Sequence, residues 1–194
     1  WGAASGSNCT NFTATSGEVT NLLSFSTAKN SSGSDPAYNS GDKQLRLYYA
    51  SSGSGGSITI TPADGITITG FSMTTATTPS VKYTVDGGTA TSVSASSKVY
   101  SVSNIAATTS LMIQNVNTTN TQLRISTIAI SYCYEPTSLD NTSIGSTTAN
   151  LSWTDSHDVN SYEVYRSTTN SAPAANATPT TTVTSKSVSL TGLT

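Results

Sequence analysis

The sequence predicts an all-β protein built from antiparallel sheets that pack as sandwiches. Three observations support this prediction. Apolar residues alternate with polar ones at a period of two along most of the chain, and no window of a dozen residues has helical spacing. The 194 residues include 35 serines and 36 threonines, but only 9% are charged. Because threonine is β-branched and tolerates a half-wet face, this composition suits pleated sheets.

Eight segments in the first 134 residues have the alternation expected of strands. They are residues 18–25, 44–49, 57–61, 66–73, 81–85, 98–102, 110–114 and 122–134. The strongest turn signal between them is Asp86-Gly87-Gly88, which favours a hairpin. The Ser/Gly-rich run at 51–56 is interpreted as a flexible hairpin loop, since neither the lysine nor the helix of a phosphate-binding loop follows it. Without helices to cover a parallel sheet, we expect two packed antiparallel sheets.

A second module is predicted to occupy residues 135–194. Its strands carry Leu151 and Trp153 on one face, followed by a Tyr-Glu-Val-Tyr-Arg run at 162–166 and a Leu-Thr-Gly-Leu corner at 190–193. These features resemble a fibronectin type III domain, which is an immunoglobulin-like sandwich. Such sandwiches need seven strands in about 100 residues. The resemblance therefore implies a partial domain in which strands F and G are absent.

Residues 1–134 carry a second resemblance. It rests on the alternating segments at 57–61, 66–71 and 128–132 and on the run Pro36-Ala37-Tyr38-Asn39-Ser40-Gly41-Asp42-Lys43-Gln44-Leu45-Arg46-Leu47-Tyr48-Tyr49. Together these residues resemble a jelly-roll module of bacterial secreted, cell-surface multidomain proteins of the type IX-secretion-like kind. In them, the module commonly lies between an enzyme domain and fibronectin-like repeats. The resemblance implies an accessory or adhesive role and assigns no catalytic residue.

The two cysteines, Cys9 and Cys133, lie near the two ends of the first module. An even count at these positions in a hydroxyl-rich, lysine-poor chain is typical of an extracellular protein. We expect a Cys9–Cys133 disulfide that joins the first and last strands. It would stabilise the fold by about 4–5 kcal/mol in the chain-entropy model. The alternative is a pair of buried free thiols.

The charge pattern excludes several kinds of partner. Eight basic and ten acidic residues give a net charge of −2, and the basic residues are scattered singly. No basic stripe is available for nucleic acid, and no polybasic run for a membrane surface. No apolar stretch approaches the roughly 20 residues of a membrane-spanning helix. The chain starts at Trp1 rather than Met, so we expect it to be part of something longer.

Side chains that could serve catalysis are sparse, and we expect that this protein is not an enzyme. The only histidine, His157, lies between Ser156 and Asp158, and three neighbours in sequence rarely converge as a catalytic triad. The carboxylates are too dispersed to be paired from the sequence. Catalysis would need residues outside this chain or an unrecognised carboxylate pair.

The predicted binding cluster comprises Tyr38, Asp42, Arg46 and Tyr48. If Leu45 and Leu47 point inward, Arg46 and Tyr48 point outward, beside Tyr38 in the preceding loop. Sugar sites usually combine an exposed aromatic face with hydrogen-bonding side chains. The alternative is structural, with Tyr48 pairing across strands and the Arg46 stem lying over it.

A structural calcium site is a further hypothesis. Asp35, Asn39 and Asp42 are oxygen donors in a turn-rich stretch, and jelly rolls often hold calcium in such loops. Calcium takes six to eight oxygen ligands, and only three side chains are at hand. Ordinary turn capping is the alternative, and we expect no other cofactor.

These observations predict a secreted, non-catalytic surface module that binds carbohydrate or mediates adhesion and is followed by a type III spacer. The expected partners are a glycan or surface polymer and the other domains of a longer parent chain. The alternative is a structural subunit or stalk of a cell-surface adhesin or filament. In that case strands from outside the fragment would complete the open sheet edge, or the edge would self-associate.

Overall fold

The computed structural model describes residues 6–7, 11–13, 22–155, 159–169, 171, 173–174 and 177–193. All regular secondary structure in these residues is β-strand, as the sequence predicts. The chain divides into two compact units, Trp1–Cys133 and Tyr134–Thr194. This division lies one residue from the predicted boundary. Strands are numbered below in chain order.

The first unit contains a seven-stranded sheet and a six-stranded sheet. The seven-stranded sheet has the spatial order β1 (Gly6–Ser7), β4 (Ala37–Asn39), β5 (Gln44–Leu47), β13 (Leu123–Tyr134), β7 (Ile66–Thr75), β11 (Val99–Ala107) and β10 (Ala95–Ser96). The six-stranded sheet has the order β2 (Asn11–Thr13), β3 (Leu23–Ala28), β6 (Ser57–Pro62), β12 (Leu111–Asn115), β8 (Val81–Val85) and β9 (Thr91–Val93).

Eight of these strands have the connectivity of a jelly roll. In the first sheet, β5, β13, β7 and β11 are neighbours, and in the second, β6, β12, β8 and β9. Counted along the chain from β5, and leaving out the short β10, the two spatial orders are 1-8-3-6 and 2-7-4-5. The chain thus passes from one sheet to the other at nearly every connection, which wraps two Greek keys into a sandwich. The predicted jelly-roll-like fold class is confirmed.

The core lies between the two sheets and is built from the alternating residues of each strand. Phe71 of the first sheet and Tyr83 of the second meet edge to face, with ring centroids 5.9 Å apart. Both sheets contribute large apolar side chains that are at most 2% exposed, namely Leu45, Leu47, Ile68, Phe71, Met73, Leu123 and Ile125 from one and Ile58, Ile60, Leu111 and Ile113 from the other. Period-two alternation therefore places every second side chain in the core and its neighbour on an outer face.

The Ser/Gly-rich loop is not the hairpin loop that its composition predicts, because it joins β5 to β6 in the other sheet. Gly55 and Gly56 are buried, and their amides donate to the carbonyls of Asn115 and Tyr48 at 3.0 and 2.8 Å. A Cβ atom at Gly55 would stand 2.5 Å from the Tyr48 carbonyl oxygen and 2.6 Å from that of Asn115. The glycines are required because two backbone segments approach this loop closely.

The second unit has two small antiparallel sheets. A three-stranded sheet has the order β14 (Thr137–Ile144), β15 (Thr148–Thr154) and β18 (Ser187–Thr191), and a two-stranded sheet joins β16 (Tyr162–Val164) to β17 (Thr181–Val183). The Trp153 and Tyr162 rings meet edge to face at 5.1 Å, and both side chains are more than 90% buried. Leu139 and Ile144 of β14 remain 68% and 71% exposed. The apolar side chains of this unit are therefore only partly covered.

Candidate functional site

The β4–β5 hairpin carries most of the predicted binding cluster and divides it between two faces. Residues directly paired across two strands point to the same side of a sheet. Ala37 pairs with Arg46, and Tyr38 pairs with Leu45. Since Leu45 is buried in the core, Tyr38 lies on the inner side of the hairpin and Arg46 on the outer side. The structure therefore does not bring Tyr38 and Arg46 together.

Asp42 and Arg46 do come together. A guanidinium nitrogen of Arg46 lies 2.5 Å from Asp42 Oδ2, with the two side chains 22% and 47% exposed. The hairpin turn is held by a second contact, in which the Asp42 amide donates to Asn39 Oδ1 at 2.9 Å. Lys43 completes the turn with a φ of 55°. The loop conformation thus brings the Asp42 carboxylate next to Arg46.

The same contacts occupy two of the three proposed calcium ligands. Asn39 Oδ1 accepts the Asp42 amide, and Asp42 Oδ2 accepts the Arg46 guanidinium. Asp35 is half-buried in the segment before β4. Among the described residues, no three His, Cys, Asp or Glu side chains gather as metal ligands would. The observed contacts are those of turn capping and an ion pair, and a calcium site at Asp35, Asn39 and Asp42 stays a prediction.

Tyr48 follows β5 directly, where the chain crosses to the other sheet. Its carbonyl accepts the Gly56 amide at 2.8 Å, and its side chain is half-buried. Every tyrosine and phenylalanine between residues 22 and 133 is likewise half-buried or buried. Residues 22–133 therefore lack the fully exposed aromatic patch that would mark a stacking site for a sugar ring.

The outer face beside Arg46 holds a second arginine that the sequence analysis did not single out. Arg124 of β13 pairs directly with Arg46 of β5. Both flank core residues, since Leu45, Leu47, Leu123 and Ile125 are at most 1% exposed. The two arginines therefore lie side by side on the outer face. A like-charge pair in this position is unfavourable, and Asp42 offsets it by neutralising Arg46.

Arg124 also lines a groove of about 410 Å³ together with Thr77, Asn120, Thr121 and Gln122. The Arg124 Nε–H donates to Gln122 Oε1 at 2.9 Å. Within the part of the chain that the structure describes, the Arg124 charge has no carboxylate partner, whereas Arg46 pairs with Asp42. Thr77, Asn120, Thr121, Gln122 and Arg124 are called the polar groove below.

A buried asparagine holds one wall of the polar groove. Asn115 at the end of β12 is fully buried, and its Nδ2 donates to the carbonyls of Leu47 and Thr121, both at 2.9 Å. Its Oδ1 accepts the backbone amide of Asn117 at 3.0 Å. These bonds fix the loop between β12 and β13, which carries Asn120, Thr121 and Gln122. The groove is thereby preorganised.

A second cleft, of about 300 Å³, lies near β8 and β9. It is lined by small and hydroxyl-bearing residues, by Tyr100 and by no charged side chain: Thr78, Pro79, Ser80, Val81, Ser92, Val93, Ser94, Ala95, Tyr100 and Val116. The Tyr100 hydroxyl donates to the Pro79 carbonyl, and burial raises the pKa of this tyrosine. The phenol thus serves the packing of the 77–80 loop, and the cleft, unlike the polar groove, is lined by neither a guanidinium nor a side-chain amide.

The Asp86 carboxylate, whose pKa departs clearly from its usual range, has a structural role. Asp86 accepts hydrogen bonds from the amides and hydroxyls of Thr108 and Thr109 and from the Ser110 amide, all at 2.8–3.1 Å. Partial burial alone would raise the pKa of Asp86, but these hydrogen bonds together hold it well below its usual range. Asp86 therefore ties the β8–β9 turn to the β11–β12 connection.

Two other features of the sequence fall wholly or partly outside the described residues. Cys9 lies outside them, whereas Cys133 is exposed near the end of β13, so the disulfide stays a prediction. Ser156, His157 and Asp158 also lie outside the described residues.

Neither the models of known protein families nor the curated proteins contain a match to this chain. Among the described residues, no helix has the length and apolar character required to cross a membrane.

Proposed function

We propose that the protein is a non-catalytic, extracellular surface module that binds carbohydrate through the outer face of its seven-stranded sheet, with the second unit as a type III spacer. The observation that carries the proposal is the polar groove beside the Asp42–Arg46 pair. Guanidinium, amide and hydroxyl groups converge there, as sugar hydroxyls require of a binding site. The location of the predicted residues Asp42 and Arg46 on the same outer face supports this choice.

Composition supports the extracellular assignment. A chain with 71 serine and threonine residues and 9% charged residues suits a cell-surface module, and the proposed Cys9–Cys133 disulfide would need an oxidising compartment. The two-layer arrangement around Trp153 and Tyr162 supports the type III spacer. Other domains of a longer parent chain are the proposed covalent partners.

The test is a glycan array probed with the 194-residue chain, followed by calorimetric titration with each hit, in buffers with and without calcium. Gln122→Ala removes an amide that lines the groove, and Asn141→Ala is a matched amide control in the exposed β14 strand. We expect binding that Gln122→Ala weakens and Asn141→Ala leaves unchanged. Binding that survives in both variants would reject the groove as the site, and a blank array would reject the proposal.

A second candidate function is a structural subunit or stalk of an adhesin or filament. The observation that favours it is the exposure of Leu139 and Ile144 on β14, since open apolar edge strands recruit other strands. Sedimentation velocity at rising protein concentration tests it. Self-association that Leu139→Ser and Ile144→Ser abolish would support this function, whereas a concentration-independent monomer would speak against it.

A further inference from the structure

We propose that the ligand of the polar groove is an acidic polysaccharide, and that Arg124 binds its carboxylate or sulfate group. This inference rests on the proposed carbohydrate-binding function and adds the chemical class of the ligand. Its basis is the one arginine of this face whose charge is not matched within the described residues.

The guanidinium of Arg124 is only partly used in hydrogen bonds to the described residues. A guanidinium has five N–H donors and no acceptor. In the described residues the Arg124 guanidinium uses its Nε–H on Gln122 Oε1, and its terminal nitrogens have no protein acceptor. The side chain is half-buried, so water screens its charge less than at a fully exposed site. The terminal nitrogens are therefore suited to a bidentate acceptor such as a carboxylate or sulfate.

The charged side chains beside Arg124 are those of Arg46 and Asp42. Arg46 lies directly across the strand pair from Arg124 and brings a second guanidinium to the same face. Asp42 binds one Arg46 nitrogen, and the buried Arg46 Nε–H has no acceptor among the described residues. Among the described residues Asp42 pairs with Arg46 and no carboxylate pairs with Arg124, so the positive charge of Arg124 is not balanced there. A second anion, supplied by a ligand, would balance it.

Exposed aromatic rings are missing between residues 22 and 133. Neutral sugars gain much of their affinity by stacking on exposed aromatic rings. Between residues 22 and 133 every aromatic side chain is buried or half-buried. Recognition at the polar groove must then come mainly from hydrogen bonds. A hydrogen bond from a guanidinium is already strong because its donor is ionised, and a carboxylate or sulfate adds an ionised acceptor that can pair with the guanidinium through two parallel bonds, which a sugar hydroxyl cannot do. This comparison favours an acidic glycan over a neutral one.

The experiment titrates the 194-residue chain with three polymers: de-esterified polygalacturonate, dextran sulfate and neutral dextran. We expect binding to at least one acidic polymer that weakens as salt rises from 20 to 300 mM, because screening acts on charge pairs. The polyuronate and sulfate arms identify which acidic group is preferred. Equal binding to neutral dextran would overturn this inference but leave the proposed function standing. Binding to none of the polymers, with hits among neutral sugars on the array, would also overturn it.

Four variants separate recognition from simple charge attraction. Arg124→Gln should weaken binding to the acidic polymer about tenfold or more, and Arg124→Lys should fall between this variant and the parent protein. Arg166→Gln, the same substitution in the second unit, is the matched control and should change nothing. Asp42→Asn should strengthen binding about two- to threefold because it releases Arg46.

A loss with Arg124→Gln at an unchanged thermal transition, together with a gain with Asp42→Asn, supports the inference. Equal effects of Arg124→Gln and Arg166→Gln would overturn it, since they would indicate nonspecific attraction to a polyanion.

Discussion

The side-chain amide of Asn115 donates a 2.9 Å hydrogen bond to the backbone carbonyl of Leu47 and so joins the two sheets of the first unit. Asn115 ends a strand of the six-stranded sheet, and Leu47 ends a strand of the seven-stranded sheet. The same Nδ2 group reaches the Thr121 carbonyl in the loop that lines the polar groove. One buried side chain therefore connects sandwich packing to the candidate site.

Asn115→Leu should lower the free energy of unfolding by about 3 kcal/mol, because it removes the amide that donates to the buried Leu47 carbonyl and to the carbonyl of half-buried Thr121. Urea unfolding followed by circular dichroism measures this change. Asn120→Leu, in the exposed part of the same loop, is the control and should shift stability by less than about 0.5 kcal/mol. A similar effect in both variants would contradict the joining role of Asn115.

Asp86→Asn should cost about 1–2 kcal/mol at pH 7, a figure that allows for solvent screening of an exposed carboxylate. Asparagine tolerates the φ of 49° at this position, so the variant tests the charge rather than the turn. Because folding lowers the pKa of Asp86, its contribution is fully present above the unfolded pKa of about 3.9 and is lost as pH falls through the folded value.

The stability difference between the parent protein and Asp86→Asn should therefore shrink steadily below about pH 4. Thermal melts from pH 7 to pH 2 test this dependence. Asp64→Asn, in an exposed turn without side-chain hydrogen bonds among the described residues, is the control. A difference that stays constant over this range would refute the proposed role of the carboxylate.

Gly55→Ala should destabilise the first unit by about 1–3 kcal/mol, since the new methyl group would overlap two backbone carbonyls. The matched control is Gly33→Ala, where no atom lies within 4 Å of the added Cβ. That substitution should be neutral or slightly stabilising, because alanine restricts the unfolded chain. Thermal denaturation of the two variants compares them directly. Equal melting temperatures would mean that the loop accommodates the added methyl group at Gly55 without a loss of stability.

Intact mass before and after alkylation, with and without reductant, tests the Cys9–Cys133 disulfide. A bridged protein gains the mass of two hydrogens on reduction and is alkylated only afterwards. Cys133→Ser should then lower stability by up to about 4 kcal/mol, because the unfolded chain loses a long closed loop. Alkylation of both cysteines without reductant would show that no bridge forms.

Local sequence was sufficient for most strands and for one turn. Val81–Val85 coincides with its predicted bounds, and the Asp86-Gly87 turn has a positive φ at both residues, 49° and 69°. Both features depend on neighbouring residues alone. The sequence did not predict β4 (Ala37–Asn39) or β9 (Thr91–Val93), because each has three residues, too few to show a period.

Alternation alone determined that Leu45 and Leu47 enter the core and that Arg46 faces outward, because successive side chains of a strand point to opposite sides. Tertiary structure decided what lies beside Arg46. The jelly-roll order places β13 next to β5, which sets Arg124 opposite Arg46, and the β4–β5 register places Tyr38 on the other side of the sheet. The tertiary structure also brings Gly55 close to the backbone carbonyls of Tyr48 and Asn115. These contacts join residues far apart in the chain, and their register follows from how the two sheets bury their apolar faces together.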